Sequence, residues 1–114
     1  MGISMKKTTP IQASAKGEQC TFNLFCCNHD PETTVLCHDT RFVDSNSPRR
    51  CDARASYGCS ECHLKMDSNE LNPDYHGYVW GRAIAKTHVR LMEKGLLHLE
   101  GVEVEPIPKV LPRR

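Results

Sequence analysis

The chain has 114 residues and a mass of 12.9 kDa, 39% of its residues are hydrophobic and 25% charged, and its formal net charge is +1. This balance fits one globular domain and excludes a disordered polyelectrolyte or a blanket polybasic coat for nucleic acid. No apolar run reaches the length a bilayer demands, and the N-terminus lacks a signal-peptide core, so a cytoplasmic location is expected.

Residues 1–17 are polar and aperiodic and are expected to form a flexible N-terminal segment, with the folded domain at 18–104. Thr33 to Cys37 is a β-branched run after the turn-like Asn28-His29-Asp30-Pro31, which predicts a strand ending at His38. Residues 44–50 read as a polar loop, and Ala53 to Tyr57 as a second strand of weak composition. Gly58 breaks the chain, and Ser60 is the expected N-cap of a short helix carrying Cys62, His63 and Asp67. Asn72-Pro73 starts the clearest helix, and Gly95 suits its end. At roughly 100° per residue, Trp80, Ala83, Ile84, Thr87 and Leu91 share one face, while Arg82, Lys86 and Arg90 lie opposite. Leu97 to Val104 is expected to add a short strand, and 105–114, with three prolines, an extended tail.

Seven cysteines in this length is a high density, and an odd number cannot all pair. Without an export signal, metal binding is the better reading. Cys59-Ser60-Glu61-Cys62 is a C-x-x-C knuckle that brings two thiolates to one tetrahedral Zn²⁺, and Cys20 with Cys27 is the obvious second pair. Cys26 rivals Cys27, and His63 rivals a cysteine. The plainer alternative makes these residues small buried hydrophobes. Cys59 to His63 also spells C-x-x-C-H, a haem-attachment pattern, but that chemistry needs export and leaves five cysteines unexplained.

His63 and Asp67 are four apart, on one helical face, and able to share one divalent cation. Packing that helix against the strand end is expected to bring His38 to the same cation-bound phosphate, where it could deprotonate a water for attack on phosphorus. Taken singly, each has a bland alternative: a surface histidine, a zinc ligand, a helix cap.

Strand, His, loop, then C-x-x-C-H on a helix resembles the HNH, or ββα-metal, nucleases. More closely, the chain resembles the YbcO-like family of candidate nucleases from lambdoid phages and prophages. The resemblance runs through Glu18 to Cys27, Pro31 to His38, Cys59 to His63 with Asp67, and the helix around Gly81 to Leu97. It implies an α+β fold, a small zinc-braced HNH-like ββα-metal domain with an additional C-terminal helix. It further implies a metal-dependent DNA endonuclease of phage recombination or DNA processing, acting in the bacterial host cytoplasm. By position His38 matches the general base, and His63 and Asp67 the helical ligands of a catalytic Mg²⁺, Mn²⁺ or Zn²⁺. Two positions depart from the pattern. Cys37 stands where a hard ligand usually precedes the base, and the middle Asn is missing, with Asp52 its best substitute and Asn46 a weaker one.

DNA would be held largely independently of sequence by Arg41, Arg49, Arg50 and Arg54 in the loop region and by Arg82, Lys86 and Arg90 on the long helix. A solvated face is the commoner meaning of that helical stripe. The rival function is a non-catalytic zinc-binding adaptor for nucleic acid or protein.

Overall fold

The computed structural model describes residues 8–39, 41 and 51–104. The expected loop at 44–50, with Asn46, Arg49 and Arg50, and the tail at 105–114 lie outside these residues. Among the described residues the fold is a small mixed α/β domain with three helices and a two-stranded sheet. Its elements run α1 (Pro10–Ala13), β1 (Val35–His38), β2 (Ala55–Gly58), α2 (Ser60–Asp67) and α3 (Pro73–Glu93), with 3-10 turns at Pro31–Thr33 and Asp52–Arg54.

β1 and β2 pair antiparallel in the register Val35↔Gly58, Leu36↔Tyr57, Cys37↔Ser56 and His38↔Ala55. Side chains alternate across a strand, so Leu36, His38, Ala55 and Tyr57 share one face and Cys37 and Ser56 the other. Each face has its own core. On the Cys37 side lie Phe22, Leu24, Cys59, Cys62, Met66, Val79, Trp80 and Ala83. On the other, Tyr57, Ala15 and Leu91 pack with Ile11, Leu36, Leu96 and Leu97.

α3 packs chiefly on β2 and reaches both cores. The outer edge of β2 is closed by two threonines. Thr87 Oγ1 accepts from Tyr57 N at 3.1 Å, and Thr21 donates to Tyr57 O through its backbone N at 2.8 Å and its hydroxyl at 2.7 Å. Thr87 thus belongs on the buried face for a polar reason: it replaces a missing strand. Gly58 is dictated by packing, since a Cβ there would stand 2.5 Å from Phe22 Cε2 and 2.9 Å from Cys37 Sγ.

Three local expectations are revised. The N-cap of α2 is Cys59, whose sulfur accepts from Cys62 N; Ser60 is the first helical residue and its hydroxyl accepts from Asn28 Nδ2 instead. Leu97 to Val104 form no strand. Gly95, at φ +76°, turns the chain so that Leu96 and Leu97 fill the second core, and the outer edge of β2 is already satisfied. Within the segment expected to be flexible, Thr9 to Ala15 form a capped helical turn with Ala15 buried, because Ile11 and Ala15 have apolar partners beneath them. Among the described residues, no helix is long and apolar enough to cross a membrane.

Candidate metal centre and histidine site

All seven cysteines are free thiols. Cys20, Cys27, Cys59 and Cys62 bring their sulfurs within 4.8 Å of one another. The Cys27 and Cys59 sulfurs are 3.8 Å apart, which is about the edge of a tetrahedron with Zn–S bonds of about 2.3 Å. Backbone amides point at three of the sulfurs: Asn23 N to Cys20 at 3.5 Å, His29 N to Cys27 at 3.4 Å and Cys62 N to Cys59 at 3.4 Å. Asn23 and His29 take positive φ values, 51° and 57°, which curls each knuckle so that its amide faces the sulfur. Amides aimed at sulfur stabilise thiolate, the form that binds metal.

The thiols respond unequally. Burial pushes Cys27 up to about 11 and drives Cys62 higher still. Cys59 is opposed by burial too, but the amides of Cys62 and Asn28 and the neighbouring Cys62 and Cys27 thiols bring it down to about 7. The donor set, spacing and amide pattern fit a structural Zn²⁺ held by Cys20, Cys27, Cys59 and Cys62. Cys26 is outside the set, its sulfur 3.8 Å from Glu61 O. Both cysteines of C-x-x-C-H are in this cluster, so neither is placed to carry a haem. Behind it, Asn28 Nδ2 donates to Thr33 Oγ1 and Ser60 Oγ, and Ser60 N to Thr33 Oγ1, which ties the two knuckles together.

The second constellation lies on the other face of the ribbon. His38 ends β1, and its Nε2 is 2.8 Å from Asp52 Oδ1, with the two side chains 14% and 21% exposed. An ionised carboxylate only accepts, so Nε2 is the protonated nitrogen of this pair, and in the neutral ring Nδ1 is then the one with a lone pair. Asp52 sits on the 3-10 turn just before β2, and its other oxygen accepts from Thr9 Oγ1 at 2.8 Å. His88 Nε2, 2.6 Å from Ala53 O, ties α3 to the same turn.

His63 and Asp67 form a pair on α2, Nε2 to Oδ2 3.4 Å, and both are well exposed. α2 packs through Cys62 and Met66 on the Cys37 face, whereas His38 projects from the Leu36 face. The fold therefore joins His38 to Asp52 and, separately, His63 to Asp67, and among the described residues no hydrogen bond or ion pair links the two pairs. Cys37, between them in sequence, is buried against Phe22 and Gly58, and burial raises its thiol far above the ordinary range.

The cationic residues divide. Arg41 is bonded to buried Asp39, Nη2 to Oδ2 at 2.7 Å and Nε to Oδ1 at 2.9 Å. Arg82 donates to Phe22 O at 2.8 Å, and Arg90 makes a two-pronged bond to Glu18 at 2.8 and 3.0 Å. Arg54 and Lys86 are exposed. The residue that sequence reading passed over is Thr9. Its signal was present, since Thr9-Pro10-Ile11-Gln12 is a capping box with proline at the first helical position.

The family described as "Putative nuclease YbcO" matches residues 9–96. Its span begins at the threonine that bonds Asp52 and takes in both pairs and all four clustered cysteines. A solved structure described as "a putative bacteriophage protein from Escherichia coli str. K-12 substr. MG1655" is 28% identical, covering 74% of this chain and 98% of that one, with a TM-score of 0.59. No curated protein matches the chain. On the family match over most of its length, the chain belongs to the family described as "Putative nuclease YbcO".

Proposed function

We propose that this protein is a metal-dependent DNA endonuclease of HNH type, in which His38 is the general base and Asp52 holds it. The observation that carries the reading is the 2.8 Å His38–Asp52 bond at a partly open strand end, which engages Nε2 and leaves Nδ1 for a water when the ring is neutral. A neutral imidazole so oriented accepts a proton from water as the water attacks phosphorus. The strand–strand–helix order of β1, β2 and α2 supports the HNH assignment. His63 and Asp67 are the proposed ligands of a Mg²⁺, Mn²⁺ or Zn²⁺ ion, which when bound supplies positive charge for the phosphate oxygens. Zinc at the four cysteines braces the fold. Arg54 and Lys86, with Arg49 and Arg50, which lie outside the described residues, are the proposed phosphate contacts, and Arg41, Arg82 and Arg90 add positive field while engaged with the protein. Binding is then largely independent of base sequence. The setting that fits the family and the phage-protein neighbour is DNA processing in the cytoplasm of a bacterial host.

A second reading, a zinc-braced binding module without catalysis, is favoured by one observation: His38 and the His63–Asp67 pair occupy different faces of the ribbon. Nicking of supercoiled plasmid by the purified protein with each cation, beside His38→Ala, separates the two. The nuclease reading expects cation-dependent nicking that a folded His38→Ala loses. Binding of DNA without nicking under every cation supports the module.

A further inference from the structure

The Thr9 hydroxyl is used twice. Its oxygen accepts from Gln12 N at 3.0 Å as the N-cap of α1, and its proton goes to Asp52 Oδ2 at 2.8 Å, forty-three positions away. One proton and free lone pairs satisfy both bonds at once. The other oxygen of Asp52 takes Nε2 of His38. We infer that Thr9 is a positioning residue for His38, acting through Asp52 to hold the imidazole in the tautomer with its proton on Nε2.

Little else holds that carboxylate. Asp52 stands on a three-residue turn whose other two members, Ala53 and Arg54, are exposed. His88 fixes the turn's backbone at Ala53 O, but no hydrogen bond apart from those of Thr9 and His38 reaches the Asp52 oxygens among the described residues. Without Thr9, one oxygen loses its anchor and the carboxylate is free to turn about its terminal bond, taking His38 with it. Thr9 is itself well fixed. The capping box returns Gln12 Oε1 to Thr9 N at 3.2 Å, Ile11 and Ala15 pack in the second core, and Ser14 Oγ meets Tyr57 OH at 2.7 Å. The first turn of the domain thus reaches across the sheet to orient a side chain at its far strand end.

This inference rests on the reading of His38 as the base, so its test includes a measurement independent of cleavage. The tautomer of His38 is read by long-range ¹H–¹⁵N correlation at neutral pH in wild type, Thr9→Val, Thr9→Ser, Thr9→Asp and Gln12→Ala. Thr9→Ser keeps the donor. Thr9→Asp keeps an N-cap but has no proton to give, which guards against misreading a frayed α1 in Thr9→Val. Gln12→Ala weakens the capping box and leaves the hydroxyl intact. Wild type, Thr9→Ser and Gln12→Ala are expected to show the Nε2–H form, and Thr9→Val and Thr9→Asp a mixture with Nδ1–H. Cleavage by the last two should fall about tenfold or more in kcat with KM little changed, restored in Thr9→Ser. An unchanged tautomer in both Thr9→Val and Thr9→Asp overturns the inference. A changed tautomer in a protein that cleaves no DNA upholds the positioning role and overturns the nuclease reading alone.

Discussion

The sulfurs of Cys27 and Cys59 stand 3.8 Å apart although thirty-two positions separate them in the chain. That spacing is what a shared tetrahedral metal would impose, and it divides the adjacent cysteines Cys26 and Cys27 into one member of the cluster and one bystander. Cys27→Ser is expected to lose the zinc and most of the folded structure, because metal affinity in such a centre is folding free energy. Cys26→Ser is expected to keep one zinc per chain and the wild-type melting temperature. Native mass spectrometry with circular dichroism reads both, and equal metal loss in the two variants would refute the assignment.

Acid should release the metal. Binding requires thiolates, and burial holds Cys27 at about 11 and Cys62 above it, so zinc must displace protons that bind more tightly than in a free thiol. Affinity therefore falls as pH falls. A chromogenic chelator titration from pH 8 to about pH 5 should show progressively easier zinc extraction, and a flat response would mean that these thiols are not the ligands.

Glu18 carries a separate pH signature. Its side chain is 14% exposed and meets Arg90 at 2.8 Å and Lys94 at 2.6 Å. Burial alone would raise its carboxyl, but the hydrogen bonds and charges of Arg90 and Lys94 outweigh burial and hold it below the ordinary 4.5. The folded value is the lower one, so the stabilisation is complete above the unfolded value and disappears as pH falls through the folded one. Glu18→Gln should cost about 1–2 kcal/mol at pH 7 and less at acid pH, the difference fading as pH falls through the folded value. Urea melts at the two pH values give the comparison, and a constant difference would contradict the ion-pair account.

Gly58 is where the sheet permits no side chain. The Phe22 ring lies where a Cβ would be, and Phe22 is in turn fixed edge-on to Trp80 with centroids 5.0 Å apart. Gly58→Ala is expected to destabilise the domain by about 3 kcal/mol. Gly81→Ala, at a helical position with nothing within 4 Å, should be neutral or stabilise by up to about 1 kcal/mol. Thermal melts of the two variants decide it.

Much of this architecture was legible because its signals are local. Asn72-Pro73 and Gly95 bracket α3, Val35 to His38 has strand composition, and the C-x-x-C knuckle announces two of the clustered thiols. Choosing Cys27 over Cys26 needed the positive φ at His29, which turns its amide toward one sulfur and which composition does not encode. The arginine stripe on α3 looked like a ridge for phosphate because helical periodicity shows only the helix itself. Phe22 O and Glu18, far off in sequence, engage Arg82 and Arg90. The final strand was expected from apolar residues of which Leu97 packs in the second core while Leu99 and Val102 are exposed, and sequence could not show that Thr21 and Thr87 already satisfy the β2 edge. Asp52 was singled out by position alone; its bond to His38 depends on the hairpin register, and Thr9 enters through a contact that no local pattern foretells.

In the proposed function His38 and Asp52 act as one unit on a phosphodiester. The direct measurement is a double-mutant cycle of DNA cleavage with wild type, His38→Ala, Asp52→Asn and the combined variant, all checked for folding and zinc content. His38→Ala is expected to abolish cation-dependent cleavage, Asp52→Asn to lower kcat about 100-fold, and the double variant to be no worse than His38→Ala. Cleavage that survives in folded His38→Ala, or losses that simply multiply in the double variant, would contradict that reading.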